Sequence, residues 1–97
     1  MLRIAICDDT PEELCAVAAL TKEYLASRRL DAEVREFSHP DALLTAGETE
    51  SFHLYLLDIV MPMVNGLELG RTIRRLNTDA QIIFITMERR FALDAYS

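Results

Sequence analysis

The sequence predicts one α/β domain, residues 1–97, built on an open, doubly wound parallel sheet with helices on both faces. Short apolar runs alternate four times with segments of helical periodicity. Most of these runs are nearly continuous, which is typical of strands covered on both faces. With 97 residues, 51% of them hydrophobic, the chain can form one compact core but not two.

Charge and hydropathy exclude several classes of function. Ten basic side chains against 16 acidic ones give a net charge of −6, which opposes attraction to nucleic acid or anionic lipid. No apolar run approaches the roughly 20 residues of a membrane span. The N-terminus lacks the basic flank and cleavage site of a signal peptide. We therefore expect a cytoplasmic protein without direct nucleic-acid or membrane contacts.

The first strand and helix are bounded by clear signals. The apolar run 2–7 (LRIAIC) predicts a buried strand that ends at the acidic pair 8–9. Thr10 is the predicted N-cap of a helix, with a proline at its first position and Glu13 closing a capping box. The helix should continue to about Arg29. Its apolar stripe comprises Leu14, Val17, Ala18, Thr21 and Leu25.

The second unit is shorter. Residues 32–37 (AEVREF) alternate apolar and charged side chains, the pattern of an edge strand with one face in water. Ser38, with Asp41 three positions later, predicts the cap of a second helix that stops near Gly47.

The third and fourth units complete the pattern. Residues 53–59 (HLYLLDI) predict a central strand interrupted by one carboxylate, that of Asp58. Pro62 and Gly66 mark a loop before a third helix. That helix places Leu67, Leu69, Gly70, Ile73 and Leu76 on one side and Arg71, Arg74 and Arg75 on the other. Segments 81–85 (QIIFI) and 88–96 then predict a fourth strand and helix.

Four polar side chains fall at the carboxyl ends of these strands, where α/β sheets carry their chemistry. They are Asp8 and Asp9 after the first strand, Asp58 in the third and Thr86 after the fourth. Converging carboxylates repel one another, and a hard cation such as Mg²⁺ would hold them ionised. A carboxylate beside that cation can attack phosphorus. Asp58 is the best-placed nucleophile, and the Thr86 hydroxyl could bind a phosphoryl oxygen.

Each of these residues also has an ordinary structural interpretation. Asp8 and Asp9 could serve only the N-terminal dipole of the first helix. Asp58 could be a strand-end residue bonded to neighbouring amides, and threonine is common in strands. His39 and His53 are far apart in the predicted fold, which favours packing or surface roles over metal binding.

Together these motifs resemble the receiver domain of two-component response regulators, over the whole chain. The resemblance rests on the pair Asp8-Asp9 after IAIC, on LYLLDIVMPMVNG around Asp58, and on IIFIT ending at Thr86. It implies a flavodoxin-like three-layer α/β/α fold with strand order 2-1-3-4-5. The segments IAICDD and TMERRFALDAYS are similar to the subgroup that carries a LytTR-type DNA-binding domain downstream.

The resemblance also implies a role for each site residue. Asp58 would be the phosphoacceptor for a histidine kinase, and Thr86 would sense the phosphoryl group. Mg²⁺ would be bound by Asp58, directly by Asp9, by the Val60 carbonyl, and by Asp8 through water. The protein would then be a phosphorylation switch for an output domain. It would assist its own phosphorylation and dephosphorylation but would not be an enzyme.

The chain departs from the family pattern in three ways. Its only lysine is Lys22, so the family lysine after the fifth strand has no counterpart, and neither do that strand and the last helix. We therefore expect a truncated fold of four β/α units. Its exposed edge at 81–85, with the helix 88–96, would favour dimerisation or exchange of elements. The bulk of Met87 could also narrow access to Asp58.

Two other functions remain open from the sequence. An inactive or pseudo-receiver that acts by protein contacts alone fits the missing lysine and Met87. A metal-dependent phosphohydrolase of the haloacid-dehalogenase type also uses a strand-end aspartate as nucleophile. That class needs a second carboxylate two residues later, where this chain has Val60.

Overall fold

A computed structural model describes residues 1–61 and 65–85 of the chain. Strands and helices alternate within it, and the four strands form one parallel sheet in the order β2-β1-β3-β4. The elements are β1 (Leu2–Cys7), α1 (Pro11–Ser27), β2 (Ala32–Phe37), α2 (Pro40–Gly47), β3 (Leu54–Asp58), α3 (Gly66–Leu76) and β4 (Gln81–Ile85). This confirms the predicted flavodoxin-like fold for four strands. Thr86, Met87 and the segment 88–96 lie outside the described residues.

The core consists of two apolar clusters, one on each face of the sheet. The cluster beneath α1 comprises Ile4, Ile6, Leu14, Ala18, Leu25 and Leu56. The other, beneath α2 and α3, includes Ala5, Cys7, Phe37, Leu43, Phe52, Leu57, Leu69 and Ile73. β1 contributes to both clusters because alternate side chains of a strand point to opposite faces. The domain therefore has three layers, with β1 in the middle of the sheet.

The register of the central strands positions the functional edge. In the parallel pairing of β1 with β3, Cys7 lies opposite Leu57. β1 ends at Cys7, and β3 ends one residue after Leu57, at Asp58. Both strands therefore end at the same edge of the sheet. Asp8 and Asp58 are consequently neighbours.

The predicted capping box at the start of α1 is wrong. Thr10 has the extended backbone of an N-cap, but its side chain makes no capping hydrogen bond. Its backbone N–H instead donates to Oδ1 of Asp8 over 2.9 Å. In a capping box, Glu13 would accept a hydrogen bond from the N–H of Thr10. That N–H is already bonded to Asp8, so Glu13 does not cap the helix.

The ends of α1 and α2 also differ from the prediction. α1 ends at Ser27, and Arg29 adopts a left-handed backbone with φ of 55°, which ends the helix earlier than expected. α2 is capped by His39, whose Nδ1 accepts from the N–H of Asp41 over 3.1 Å. Ser38 is not the cap, because the proline after His39 occupies the first helical position.

The far edge of the sheet is less well covered than its centre. On β4, Ile83 is 50% exposed and Phe84 is 40% exposed. Leu67 and Leu76, predicted to lie on the buried stripe of α3, are also exposed, whereas Leu69, Gly70 and Ile73 on that stripe are buried. None of the described helices combines the length and apolar composition that a membrane span requires.

Candidate functional site

Three carboxylates meet at the edge formed by the carboxyl ends of β1 and β3. One oxygen each of Asp8, Glu13 and Asp58 lies within 4.8 Å of the other two, and we call these three residues the acid cluster. Asp8 follows β1, Asp58 is the last residue of β3, and Glu13 lies in the first turn of α1. Asp8 is only 3% exposed and Asp58 only 6% exposed. Two of the three acids are therefore almost completely removed from water.

Backbone amides hold the two buried carboxylates in place. Oδ1 of Asp8 accepts from the N–H of Thr10 over 2.9 Å. Oδ1 of Asp58 accepts from the N–H of Val60 over 3.3 Å. The second contact is the one that a purely structural strand-end aspartate would make. It does not account for two further carboxylates within 4.8 Å.

The electrostatics of the site disfavour the ionised acids. The pKa of Asp58 is raised to about 6, chiefly by burial and next by the charge of Asp8, while the Val60 N–H opposes the shift. The pKa of Glu13 is also raised, by burial first and then by the charge of Asp8 and a hydrogen bond to it. Burial and the neighbouring aspartates raise the pKa of Cys7 to about 12, so its thiol stays neutral. The cluster therefore holds negative charge at a cost in free energy.

No basic side chain within residues 1–61 and 65–85 forms an ion pair with the acid cluster. The basic residues with ion pairs in these ranges have other partners: Arg3 and Arg35 pair with Glu50, Lys22 with Glu36 and His39 with Asp41. Carboxylate oxygens without a cationic partner are the donors that hard divalent cations take. The donor set is thus consistent with Mg²⁺ binding.

The predicted site residues fall into three groups. Asp8 and Asp58 are brought together in the acid cluster. Asp9 is partly buried and is not part of the cluster, although its charge contributes to the raised pKa of Asp58. Val60 contacts Asp58 through its N–H, so the role of its carbonyl stays a prediction, as does direct binding by Asp9. Thr86 lies outside the described residues.

Glu13 is the site residue that the sequence reasoning missed. Its position four residues after the acidic pair was interpreted as a capping signal. A different signal was available, because α1 begins at the sheet edge where β1 ends. The first turn of that helix must therefore lie beside the strand-end acids, and Glu13 is in this turn.

Gly66 supports the site from the other side. Its N–H donates to the carbonyl of Ile59 over 3.0 Å. A Cβ atom at this position would lie 2.0 Å from the backbone oxygen of Asp58, far inside van der Waals contact. Only glycine lets the start of α3 approach the end of β3 this closely. The glycine that the sequence marked as a loop residue is therefore packed against the backbone of Asp58.

The family model described as the response regulator receiver domain matches residues 4–95. The chain belongs to this family. The match includes the whole acid cluster, β2, β3, β4 and all but the first two residues of β1. The receiver fold predicted from the sequence and the strand order observed in the structure thus agree with an independent comparison.

Three comparisons with individual proteins agree with this assignment. The transcriptional regulatory protein RprY of Bacteroides fragilis is 29% identical over 85 residues, which cover 88% of this chain. The response regulator TrrA of Thermotoga maritima, whose structure was solved in complex with Mg²⁺-BeF, has 31% sequence identity to this chain and superposes on it with a TM-score of 0.73. The superposition covers 97% of this chain and 76% of the TrrA chain.

TrrA in complex with the histidine kinase ThkA is also similar, at 32% identity and a TM-score of 0.67. That match covers 90% of this chain and 70% of the solved one. By contrast, the receiver domain described here spans only 34% of the length of RprY.

Proposed function

We propose that this receiver domain accepts a phosphoryl group on Asp58 from a histidine kinase, with Mg²⁺ bound at the acid cluster. One observation carries the proposal. Asp58 ends a central strand, is 6% exposed, and lies within 4.8 Å of two other carboxylates in a chain that matches the receiver family over residues 4–95. The complex of TrrA with the kinase ThkA supports the choice of phosphoryl donor.

The transfer itself requires an ionised Asp58. With a pKa of about 6, its carboxylate is mostly ionised at pH 7 to 8. One of its oxygens attacks phosphorus and forms a P–O bond as the bond from phosphorus to the donor nitrogen breaks. The imidazole leaving group keeps the electron pair and takes up a proton. The product is an acyl phosphate at Asp58.

The acid cluster would hold Mg²⁺ through Asp8 and Asp58, and the family resemblance adds Asp9 and the Val60 carbonyl. When bound, the cation offsets the negative charge of the carboxylates and the phosphoryl oxygens. The chain's own residues orient the nucleophile. The N–H of Val60 fixes one oxygen of Asp58, and the close packing of Gly66 fixes its backbone.

We propose a transcriptional output for this switch. A cytoplasmic switch that regulates transcription fits the similarity to RprY and the likeness to regulators with a LytTR-type DNA-binding domain. In this function the domain is a phosphoacceptor and not an enzyme that acts on a separate substrate. Thr86 would sense the phosphoryl group, and an output domain would respond to it.

Self-association through the β4 edge is the second partner proposal. Ile83 and Phe84 expose apolar surface on the outer strand of the described sheet. We expect light scattering at high protein concentration to show a dimer that Ile83→Lys disrupts. A monomer over the whole concentration range would contradict this part of the proposal and leave the phosphoacceptor role intact.

Intact mass spectrometry after incubation with acetyl phosphate tests the phosphoacceptor role. We expect a single phosphoryl adduct that requires Mg²⁺, disappears with EDTA and is absent from Asp58→Asn. Asp79→Asn, which removes an exposed aspartate just before β4, is the matched control and should keep the adduct. No adduct on the unmodified chain would contradict the proposal and favour a pseudo-receiver that acts by contacts alone.

A further inference from the structure

We propose that the carboxylate of Glu13 belongs to the cation site and binds Mg²⁺ together with Asp8 and Asp58, directly or through one water. This inference rests on the proposed function and extends it to a residue to which the family resemblance assigns no role. It concerns how tightly this particular receiver domain binds its cation.

The position of Glu13 places it in the acid cluster. A Glu13 oxygen lies within 4.8 Å of oxygens from both strand-end acids. The adjacent Glu12, in the same turn of α1 and with the same charge, is exposed and outside the acid cluster. An acidic residue in the first turn interacts favourably with the helix dipole wherever it points. The dipole therefore explains an acid in this turn but not the approach of Glu13 to Asp8 and Asp58.

Capping of α1 does not explain the position of Glu13. A glutamate at the third helical position usually accepts a hydrogen bond from the N-cap amide. Here the N–H of Thr10 donates to Asp8 over 2.9 Å, and the Thr10 side chain makes no reciprocal cap. Asp8 thus performs the task expected of Glu13.

The charge balance of the acid cluster also favours a cation that contacts Glu13. Three carboxylates within 4.8 Å repel one another, and no lysine, arginine or histidine in the described ranges pairs with them. A divalent cation bound among all three removes this repulsion. A cation held by the strand-end acids alone would leave Glu13 a few ångströms away with its charge uncompensated by any described side chain. Binding that includes Glu13 is the arrangement that uses every carboxylate of the cluster.

Titration calorimetry of the unphosphorylated chain with Mg²⁺ tests the inference without relying on phosphorylation. We expect Glu13→Gln to weaken Mg²⁺ binding about tenfold, the scale seen when groups around a metal ligand set are removed. The matched control Glu12→Gln removes the same charge from the same helical turn and should change the affinity less than twofold. Glu13→Asp keeps the charge on a shorter side chain, so its Mg²⁺ affinity should lie between those of Glu13→Gln and Glu12→Gln.

The outcomes separate the two proposals. If Asp58→Asn weakens Mg²⁺ binding but Glu13→Gln binds as the unmodified chain does, the role of Glu13 is overturned and the proposed function stands. Equal losses in Glu13→Gln and Glu12→Gln would also overturn it, because they would indicate only a long-range charge effect. An unmodified chain that binds Mg²⁺ but forms no acetyl phosphate adduct would contradict the proposed function alone.

A second measurement covers the case in which Glu13→Gln does not fold, which far-UV circular dichroism would reveal. Substoichiometric Mn²⁺, a paramagnetic substitute for Mg²⁺, should broaden the carboxyl ¹³C signal of Glu13 in the unmodified chain much more than that of Glu12. Comparable broadening of the two signals would overturn the inference.

Discussion

β1 and β4 are both short apolar runs, but the structure uses them in opposite ways. In β1 the four residues from Ile4 to Cys7 are at most 1% exposed. In β4, Ile83 is 50% exposed and Phe84 is 40% exposed. β1 lies between β2 and β3 with helices on both sides, whereas β4 lies at the outer edge of the described sheet. An apolar run therefore predicts a strand but does not determine its position in the sheet.

The two kinds of strand suit different functions. Asp8 follows the central strand β1 and Asp58 ends the central strand β3, so the acid cluster is supported by the most deeply buried part of the protein. Rigid support of this kind holds a nucleophile and cation ligands in a fixed arrangement. The β4 edge carries apolar side chains in water, which suits contact with a partner. Chemistry is thus expected at the carboxyl ends of β1 and β3, and contact with a partner along the outer edge of the neighbouring strand β4.

The largest expected difference between the regions comes from removing side-chain volume. Leu57→Ala, in the fully buried centre of β3, should lower the free energy of unfolding by about 3 kcal/mol or more, from lost burial and the cavity left behind. Ile83→Ala on β4 should cost about 1 kcal/mol or less, because half of that side chain is already in water. Urea denaturation measures both values. Equal losses would show that the two strands are not buried differently in solution.

The two glycines of α3 provide the next comparison. Gly66→Ala places a Cβ atom 2.0 Å from the backbone of Asp58, so we expect a loss of about 2–3 kcal/mol. A Cβ atom at Gly70 would clash with the ring of Phe84, at 2.6 Å, and make an ordinary contact with Leu57 at 3.7 Å; the Phe84 side chain is 40% exposed and can move aside. Better helix propensity also offsets the clash at Gly70, so its net effect should stay below about 1 kcal/mol. Thermal unfolding would contradict this account if Gly70→Ala were the more damaging change.

Because the pKa of Asp58 is raised, removing its charge should stabilise the fold, and the size of this effect should depend on pH. The folded pKa of about 6 exceeds the ordinary value of 3.8, so between these values the folded state binds more protons than the unfolded state. Stability then falls as the pH rises through this range. In the absence of Mg²⁺, Asp58→Asn should therefore stabilise the fold by about 2 kcal/mol at pH 7.5, and by nearly nothing at pH 3.5.

Denaturation curves of the two proteins at both pH values test this. A gain that is the same at both would indicate that the substitution acts through packing and not through charge. Asp79→Asn, at an exposed position, should give no comparable gain at either pH.

Mg²⁺ binding should change stability less than removing the charge of Asp58 does. At ten times its dissociation constant, a ligand bound only by the folded state adds about 1.4 kcal/mol, which corresponds to roughly 6–11 °C in Tm for a domain of this size. Ile83→Ala should retain the full shift, because Ile83 lies opposite Leu56, two residues before Asp58, and contributes no oxygen ligand to the cluster. Asp8→Asn should lose most of it, and EDTA should abolish it. An equal shift in all three proteins would place the cation elsewhere.

The sequence was sufficient to predict the fold because local signals and sheet pattern agreed. All seven described elements were expected, and β2, α2 and β4 have the predicted extents to within a residue or two. The errors concern the groups that cap the N-termini of the helices. Asp8 takes the N–H that Glu13 was expected to accept, and a proline shifts the α2 cap from Ser38 to His39.

The candidate site could be predicted only in part, for a similar reason. Strand ends alone bring Asp8 and Asp58 to one edge. Including Glu13 requires knowing how α1 leaves that edge, which depends on a three-dimensional turn and not on spacing. The tight approach of Gly66 to Asp58 likewise depends on packing between α3 and β3.

The central claim is that Asp58, and no other acid of the cluster, receives the phosphoryl group. Borohydride reduction after incubation with acetyl phosphate and Mg²⁺ tests it directly, because an aspartyl phosphate is reduced to homoserine. Peptide mass spectrometry should find homoserine at position 58 only, and none when EDTA is present. Homoserine at Asp8 or Asp9, or at no position in the chain, would contradict the account.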